Sequence, residues 1–280
     1  MKIHRAFTLI ELLVVISIIA LLIAILLPAL GAARTAARQM QNSTQLRGIH
    51  QGVFGYAQDN KGFFVGLTSE GQIHDLSADA PASNSNTSAT YRANQHGHYI
   101  WRRFAIMLDS GYVTPQYVVS PGEAGDITLA DPSITAPSAN VNYRNYSYAM
   151  LTIRWMADGS LWDPGDTYAP GKRGQEWRDT VNSETILLSD RAIADDGVPV
   201  TLASKPFHSI WTQAGSNQWA GSALRGDGSV EFANRADGFR TRYANGPTHD
   251  SDHLFEDPSP SLADNARLTH LNATAALGPF

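Results

Sequence analysis

The sequence contains no cysteine. A disulfide framework is therefore excluded, and so are metal sites built on thiolates. Charge is also sparse, since 21 Lys and Arg residues stand against 26 Asp and Glu residues, for a formal net charge of −5. This mildly acidic balance lacks the basic excess that is typical of nucleic-acid-binding proteins. We therefore expect no nucleic acid partner.

Patterns typical of enzymes are missing as well. No serine lies in a Gly-x-Ser-x-Gly nucleophile elbow, and no glycine-rich phosphate loop follows a predicted strand. The nine histidines are scattered along the chain and suggest no catalytic triad. We expect no enzymatic activity, no catalytic residue and no small-molecule substrate.

The most distinctive stretch is almost free of charge. Residues 12–33 contain no charged side chain, and most residues from 7 to 30 are apolar. At about 1.5 Å per residue, a helix of this length crosses the ~30 Å hydrocarbon core of a bilayer. A secretory signal cleaved near Gly31 is the alternative, but its apolar region normally runs only about 7–15 residues. The sequence therefore predicts a transmembrane helix over residues 7–30.

Glu11 is the exception within this apolar stretch. A carboxylate inside a membrane helix costs about 2.5–3.5 kcal/mol and is seldom retained without a partner. The residues alone leave two interpretations open. Glu11 is either an interfacial acid at the helix start, where the helix dipole favours negative charge, or it is buried against a positive group of a neighbouring subunit.

The N-terminal residues have a distinctive order. Lys2 and Arg5 precede Ala6-Phe7-Thr-Leu-Ile-Glu11-Leu and the apolar stretch. This arrangement resembles the prepilin-type cleavage and methylation segment of type IV pilins and type II secretion pseudopilins. The resemblance implies that a prepilin peptidase cuts between Ala6 and Phe7 and that the new amino group of Phe7 is methylated. It also implies that Glu11 pairs with the amino terminus of an adjoining subunit. The sequence departs from the pattern at Ala6, where the family usually has Gly.

A helical pattern continues past the apolar stretch. Apolar side chains recur at spacings of 3, 4 and 3, at Leu46, Ile49, Val53 and Tyr56. Residues 31–59 are therefore predicted to be an amphipathic continuation of the helix, packed on a sheet. Pro28 removes one helical hydrogen bond and is predicted to kink the helix.

Beyond Gly31, at its start, three glycines interrupt the amphipathic part, at positions 48, 52 and 55. Each weakens a helix by up to about 1 kcal/mol relative to alanine, so packing must support the segment. They are expected to allow a strand to approach closely. The alternative is a flexible joint that lets a fibre bend.

The rest of the chain is predicted to be a β-rich head. Strands are predicted at residues 63–67, 117–120, 142–150 and 185–190, with a hairpin at the Asp227-Gly228 turn. Residues 99–110 are predicted to form a short helix with Arg102 and Arg103 facing solvent. Asp190 is expected at the margin of the sheet. The predicted fold class is α+β: a long N-terminal helix, transmembrane and then amphipathic, packed on an antiparallel β-sheet head in a pilin-like arrangement.

Three segments of the head carry a second resemblance: residues 146–150, residues 185–190 and the Asp227-Gly228 pair with the Ser-Val that follows it. The first two look like the middle strands of a group of prepilin-like bacterial surface proteins, and the third is similar to the C-terminal signature of that group. The signature places a His ten residues before the Asp-Gly pair. In this sequence that position is Asn217. The chain is therefore interpreted as a divergent member, and the role of Asn217 is left open.

Three places in the sequence carry side chains that could bind a metal ion. His249-Asp-Ser-Asp-His253, with two acids just beyond it, and His96-Gly-His98 carry oxygen and imidazole ligands suited to Ca²⁺ or a transition metal. Both clusters are expected to be solvated, and Asp227 is expected to satisfy its own turn. We expect no cofactor and no metal, with a Ca²⁺ ion in the head as the alternative.

These predictions divide the chain into five parts: a leader peptide (1–6), a transmembrane helix (7–30), its amphipathic continuation (31–59), a globular head (60–245) and a polar tail (246–280). The resemblance implies a single-pass inner-membrane protein with an exported head. It would be a structural subunit of a type IV pilus-like or type II secretion pseudopilus filament. Its partners would be the prepilin peptidase, other pilin or pseudopilin subunits and the membrane.

Two alternatives to a filament subunit stay open. One is a membrane-anchored surface binding module that uses the N-terminal segment only as an export tag and anchor. The other is a secreted enzyme cut near Gly31. The residues do not distinguish a pilus from a secretion pseudopilus, or a major from a minor subunit, and they name no surface ligand.

Overall fold

The computed structural model describes residues 9–71, 100–123, 146–151, 177–194, 207–213, 215–216, 218–242, 249–252, 254–255 and 268–269. The chain divides into two compact units, Met1–Gln41 and Asn42–Phe280. Helix α1 (Leu9–Asp59) supplies residues to both units.

The first unit contains the apolar part of α1. Residues 9–38 are all exposed, and Pro28 lies inside the helix. In the second unit α1 is amphipathic, because its buried positions recur at helical spacing. These positions are Asn42, Leu46, Ile49, Gly52, Val53 and Ala57. The prediction that the apolar helix continues to residue 59 is confirmed.

The end of α1 is set by backbone conformation. Gly62 has a φ of +87° and donates its N–H to the carbonyl of Ala57 at 2.8 Å. This left-handed conformation favours glycine and closes a helix by pairing one of its last carbonyls.

Two shorter helices and nine strands follow among the described residues. The helices are α2 (Ile100–Asp109) and α3 (Pro115–Val118). The strands are β1 (Tyr148–Leu151), β2 (Ile186–Asp190), β3 (Ala192–Ala194), β4 (Phe207–Ser209), β5 (Gly221–Arg225), β6 (Val230–Ala233), β7 (Phe239–Thr241), β8 (His249–Asp252) and β9 (Leu268–Thr269).

The main sheet has five strands in the order β6-β5-β2-β1-β9, and every neighbouring pair is antiparallel. The register places Met150 opposite Leu188, and Leu224 opposite both Leu188 and Val230. Strands β3 and β4 form one two-stranded sheet, and β7 and β8 form another. The predicted α+β fold, with a long helix and an antiparallel sheet, is confirmed.

Two predicted strands are wrong. Residues 117–120 overlap α3, a single helical turn that begins at Pro115, where the fixed φ of proline suits a first helical position. Residues 63–67 have single bridges at Phe63, which pairs with Arg178, and at Leu67, with a turn at residues 65–66 between them. The strand at residues 185–190 and the hairpin at Asp227-Gly228 are confirmed as β2 and the β5–β6 hairpin.

The prediction that Arg103 faces solvent is also wrong. Its side chain is fully buried, its Nη1 donates to the carbonyl of Leu151 at 2.7 Å, and its guanidinium lies 5.2 Å from the centre of the Trp177 ring. Burial lowers the pKa of Arg103 to about 9, so the side chain remains protonated at neutral pH. Arginine suits such a site because its planar cation stacks on aromatic faces.

Gly48, Gly52 and Gly55 of α1 face the loop after α2 and the residues of α3. A Cβ atom at Gly48 would lie 2.1 Å from Tyr117 Cε1, and one at Gly52 would lie 2.6 Å from Val113 Cγ1 and 2.9 Å from the carbonyl oxygen of Tyr112. Small residues therefore permit close approach, as expected. The approaching segment is a loop and α3 rather than a strand.

Replacing Gly52 with Ala is expected to destabilise the protein by up to about 2 kcal/mol. Alanine favours the helix by about 1 kcal/mol, but overpacking against a backbone carbonyl costs about 1–3 kcal/mol. Gly55→Ala is the matched control, because its Cβ would meet Tyr112 Cδ1 at an ordinary 3.4 Å. In urea unfolding, the free energy of unfolding of Gly52→Ala should be lower than that of the wild type. That of Gly55→Ala should equal or exceed the wild-type value. Equal stabilities for the two variants would show that the approach is not tight.

Candidate assembly segment and the Asn42 junction

The first part of α1 exposes an apolar surface on every face. Every Leu, Ile and Val between Leu9 and Leu30 is exposed, from 46% at Val15 to 86% at Leu9. The helix is long and apolar enough to cross a membrane, and none of its most apolar 18-residue window is buried. A helix that is apolar all round belongs in a bilayer or among other apolar helices, since water would solvate it poorly.

The polar groups of this segment are few. Ser17 Oγ donates to the carbonyl of Val14 at 2.8 Å, and Thr35 Oγ1 donates to the carbonyl of Gly31 at 3.2 Å. Both hydroxyls are thus satisfied within the helix. Glu11 lies in the first turn, where the helix dipole favours a negative charge. The Glu11 carboxylate is the charge that any apolar environment of this segment must accommodate.

The sequence-predicted processing and assembly residues fall into two groups. Ala6 and Phe7 lie outside the described residues. Glu11 and Pro28 both lie on α1, 17 positions apart, which is roughly 25 Å along a helix. The pairing role of Glu11 and the kink at Pro28 stay predictions.

The candidate metal ligands are only partly described. Residues 96–98, 253, 256 and 257, together with Asn217, lie outside the described residues, whereas the backbone of residues 249–252 forms β8. Within the part of the chain that the structure describes, no three His, Cys, Asp or Glu side chains group as metal ligands. Asp227 accepts the backbone N–H of Ser229 at 2.8 Å, and hydrogen bonds from Ser229 lower the pKa of Asp227. Asp227 therefore satisfies its own turn, as expected.

Sequence reasoning missed a buried polar cluster in the second unit, which we call the Asn42 junction. It comprises Asn42 and Gln45 of α1, Ser120, Tyr148, Asp190, Trp211 and Ser222. Asn42 is the first buried residue along α1. The junction therefore lies where the buried part of the helix begins.

The Asn42 amide is fully hydrogen-bonded. Its Nδ2 donates to Asp190 Oδ1 and Oδ2 at 2.9 and 3.0 Å and to Ser222 Oγ at 3.1 Å. Its Oδ1 accepts from Ser120 Oγ at 2.7 Å and from Tyr148 OH at 2.8 Å. One side chain of α1 thus connects β1, β2, β5 and the end of the segment that contains α3.

Asp190 is the buried charge of the junction. It is the last residue of β2, as expected, but β2 is the middle strand of the main sheet and the Asp190 side chain is fully buried. Asp190 Oδ2 also accepts the backbone N–H of Ser222 at 2.7 Å and Trp211 Nε1–H at 2.8 Å. Burial raises the pKa of Asp190 from 3.8 to about 6, and these hydrogen bonds limit the rise.

An ion pair lies beside the junction. Glu123 accepts from Arg191 Nη2 at 3.0 Å, and the two side chains are only 6% and 11% exposed. The negative charge of Glu123 adds to the rise in the pKa of Asp190. Burial likewise raises the pKa of Tyr148 well above its ordinary value, so the phenol keeps its proton and acts as a donor.

Comparison with known proteins identifies only the N-terminal segment. Residues 1–27 match the family model described as the prokaryotic N-terminal methylation motif. No curated protein and no solved structure matches the chain. The match ends within the apolar part of α1, and the resemblance of the C-terminal residues to surface proteins stays a prediction.

Proposed function

We propose that this chain, whose first 27 residues carry the prokaryotic N-terminal methylation motif, is a filament subunit that assembles from the membrane. The motif indicates a protein of the type IV pilin or pseudopilin kind. The observation that carries the proposal is that the motif leads into a helix whose apolar side chains are exposed on every face. Such a surface fits a subunit that moves from lipid into a bundle of identical helices.

Processing would prepare the subunit for assembly. A prepilin peptidase would cut between Ala6 and Phe7, and the amino group of Phe7 would then be methylated. Phe7 would become the first residue of the mature chain and Glu11 the fifth. The new amino terminus carries a positive charge, and it would lie one helical turn from the Glu11 carboxylate.

The energetics of assembly follow from the composition of the segment. Lipid chains are as apolar as leucine side chains, so moving the helix from the bilayer into a bundle gains little from the hydrophobic effect. Close packing and charge pairing must supply the specificity. Glu11 of one subunit would meet the amino terminus of another, which relieves the burial of both charges together.

The second unit would then be displayed outside the membrane. We place the protein in the inner membrane with a single span, with the sheet and its helices exported as a head. The motif favours a structural, non-enzymatic role, and we assign no substrate. Whether the filament is a pilus or a secretion pseudopilus depends on partner subunits.

The test is to fractionate cells that also produce a prepilin peptidase and a filament assembly system. We expect the protein in the high-speed pellet of sheared material, with filaments visible by negative-stain electron microscopy. Omitting the peptidase should keep the unprocessed chain in the membrane fraction. If the mature protein stays wholly in the membrane fraction, the surface binding module is favoured. A freely soluble product that begins near Gly31 would indicate a secreted protein.

A further inference from the structure

We propose that Asp190 is a buried proton-binding site whose occupancy reverses the hydrogen bonds through Asn42, making the junction between α1 and the main sheet responsive to mild acid. The inference concerns the second unit alone. It does not depend on filament formation.

The two oxygens of Asp190 have different surroundings. Oδ2 accepts from the backbone N–H of Ser222 and from Trp211 Nε1–H, in addition to Asn42. Among the described residues, Asn42 Nδ2 is the donor to Oδ1. A proton is therefore best placed on Oδ1, where binding it leaves the Ser222 and Trp211 hydrogen bonds to Oδ2 in place.

A proton on Oδ1 would face the NH₂ group of Asn42, and two donors cannot pair. The planar amide resolves this conflict by turning through 180°, because its oxygen and nitrogen are nearly the same size. Asn42 Oδ1 then accepts from the protonated Asp190, and Nδ2 donates towards Ser120 Oγ and Tyr148 OH. The O–H bond on Asp190 Oδ1 is the one covalent bond formed, and its proton is taken up from solvent.

The neighbouring hydroxyl groups can follow this reversal. A hydroxyl is both a donor and an acceptor, and its hydrogen rotates to suit its partners. Tyr148 OH lies 2.9 Å from Gln45 Oε1 and can direct its one hydrogen there while it accepts from Asn42. Ser222 Oγ, which accepts from Asn42 in the ionised state, can donate to the turned amide. Tyr148 and Ser222 therefore have hydrogen-bond partners in each protonation state.

The charged and titratable groups around Asp190 favour proton uptake. Glu123, in the segment after α3, adds a negative charge near Asp190. Arg191, the residue after β2, forms an ion pair with Glu123. Tyr148 of β1 stays neutral. The groups from α1, β5 and the turn after β4 are neutral: Asn42, Gln45, Ser222 and Trp211. Burial with one nearby acid raises the pKa of Asp190 into the mildly acidic range.

The sign of the pH dependence follows from linkage. Between about pH 4 and pH 6 the folded protein binds a proton at Asp190 that the unfolded chain has already lost. The contribution of Asp190 to stability is therefore greatest below about pH 4 and is lost as the pH rises through about 6. This is opposite to the usual carboxylate, whose pKa falls on folding.

The experiment measures thermal unfolding of the full chain in detergent between pH 4.5 and pH 7.5. Asp190→Asn is a neutral mimic of the protonated acid, and we expect it to fold. Between pH 7 and pH 5 the Tm of the wild type should rise by about 3 °C relative to that of Asp190→Asn. Glu231→Gln is the control, because Glu231 is an exposed acid of β6. It should follow the wild type.

The Asp190→Ala variant distinguishes reversal of the hydrogen bonds through Asn42 from simple loss of the carboxylate. Alanine can make neither arrangement, so its Tm should lie below that of Asp190→Asn at every pH. The proposal is overturned if Asp190→Asn fails to fold or is as unstable as Asp190→Ala. That result would mean that the Asn42 amide cannot turn, so that its NH₂ group faces the NH₂ group of the introduced side chain. It is also overturned if the wild type and Asp190→Asn show the same dependence of Tm on pH.

Discussion

Replacing Glu11 with Gln is expected to leave membrane insertion intact and to reduce filament formation at least about 30-fold. In the bilayer, the neutral amide costs less than a carboxylate, so insertion does not suffer. In the proposed bundle, the amino terminus of a neighbouring subunit would lose its counter-charge. Removing one partner of a buried charge pair costs about 2–5 kcal/mol, which corresponds to about 30-fold or more.

The measurement compares the amount of Glu11→Gln protein in membranes with the amount in sheared filaments. Ser17→Ala is the matched control, because Ser17 lies on the same apolar helix and its hydroxyl bonds its own backbone. We expect Ser17→Ala to form normal filaments. Normal filaments from Glu11→Gln would show that Glu11 is an interfacial acid with no role in subunit pairing.

Replacing Asn42 with Ala is expected to destabilise the second unit by about 3 kcal/mol. The change removes the donor to Asp190 Oδ1 and the acceptor of the Ser120 and Tyr148 hydroxyls. A buried group left unsatisfied costs about 1–3 kcal/mol, and a charged group costs more. The stability should be lost at the junction between α1 and the main sheet, because the hydrogen bonds of Asn42 connect the two.

Urea unfolding of the full chain in detergent measures this loss. Arg47→Ala is the control on the same helix, since Arg47 is exposed, and it should change stability by less than about 0.5 kcal/mol. An Asn42→Ala variant as stable as Arg47→Ala would mean that the junction contributes specificity without stability.

The features that sequence predicted best are local patterns. The apolar stretch, the spacing of Leu46, Ile49 and Val53, the apolar run of β2 and the Asp-Gly hairpin each encode their conformation within a few residues. The N-terminal segment is also local, and its match to a methylation motif confirms the resemblance stated from Ala6 to Glu11.

The Asn42 junction could not be predicted in the same way, because its members are far apart in sequence. Asn42 and Asp190 are separated by 148 residues, and only the folded sheet brings them together. A partial signal existed: Asn42 is four residues before Leu46 and extends the buried stripe of α1 by one turn. A polar residue at a stripe position indicates a buried hydrogen-bond network.

Arg103 repeats this lesson in α2. It lies on a stripe with Ile100, Phe104 and Met107, all of which are buried, at the spacings of 3, 4 and 7 that one helix face requires. Its charge suggested that the side chain faces solvent, whereas its position on the stripe indicated that the side chain lies in the core. Position was the better guide, because the guanidinium finds a carbonyl and an aromatic ring inside.

Mass spectrometry of the N-terminal peptide, taken from sheared filaments and from membranes, shows whether the apolar helix of this protein is processed for assembly. We expect a mature chain that begins at Phe7 with one methyl group on its amino nitrogen, present in both fractions. A chain that retains residues 1–6, or one that begins beyond Gly31, would show that this processing does not occur.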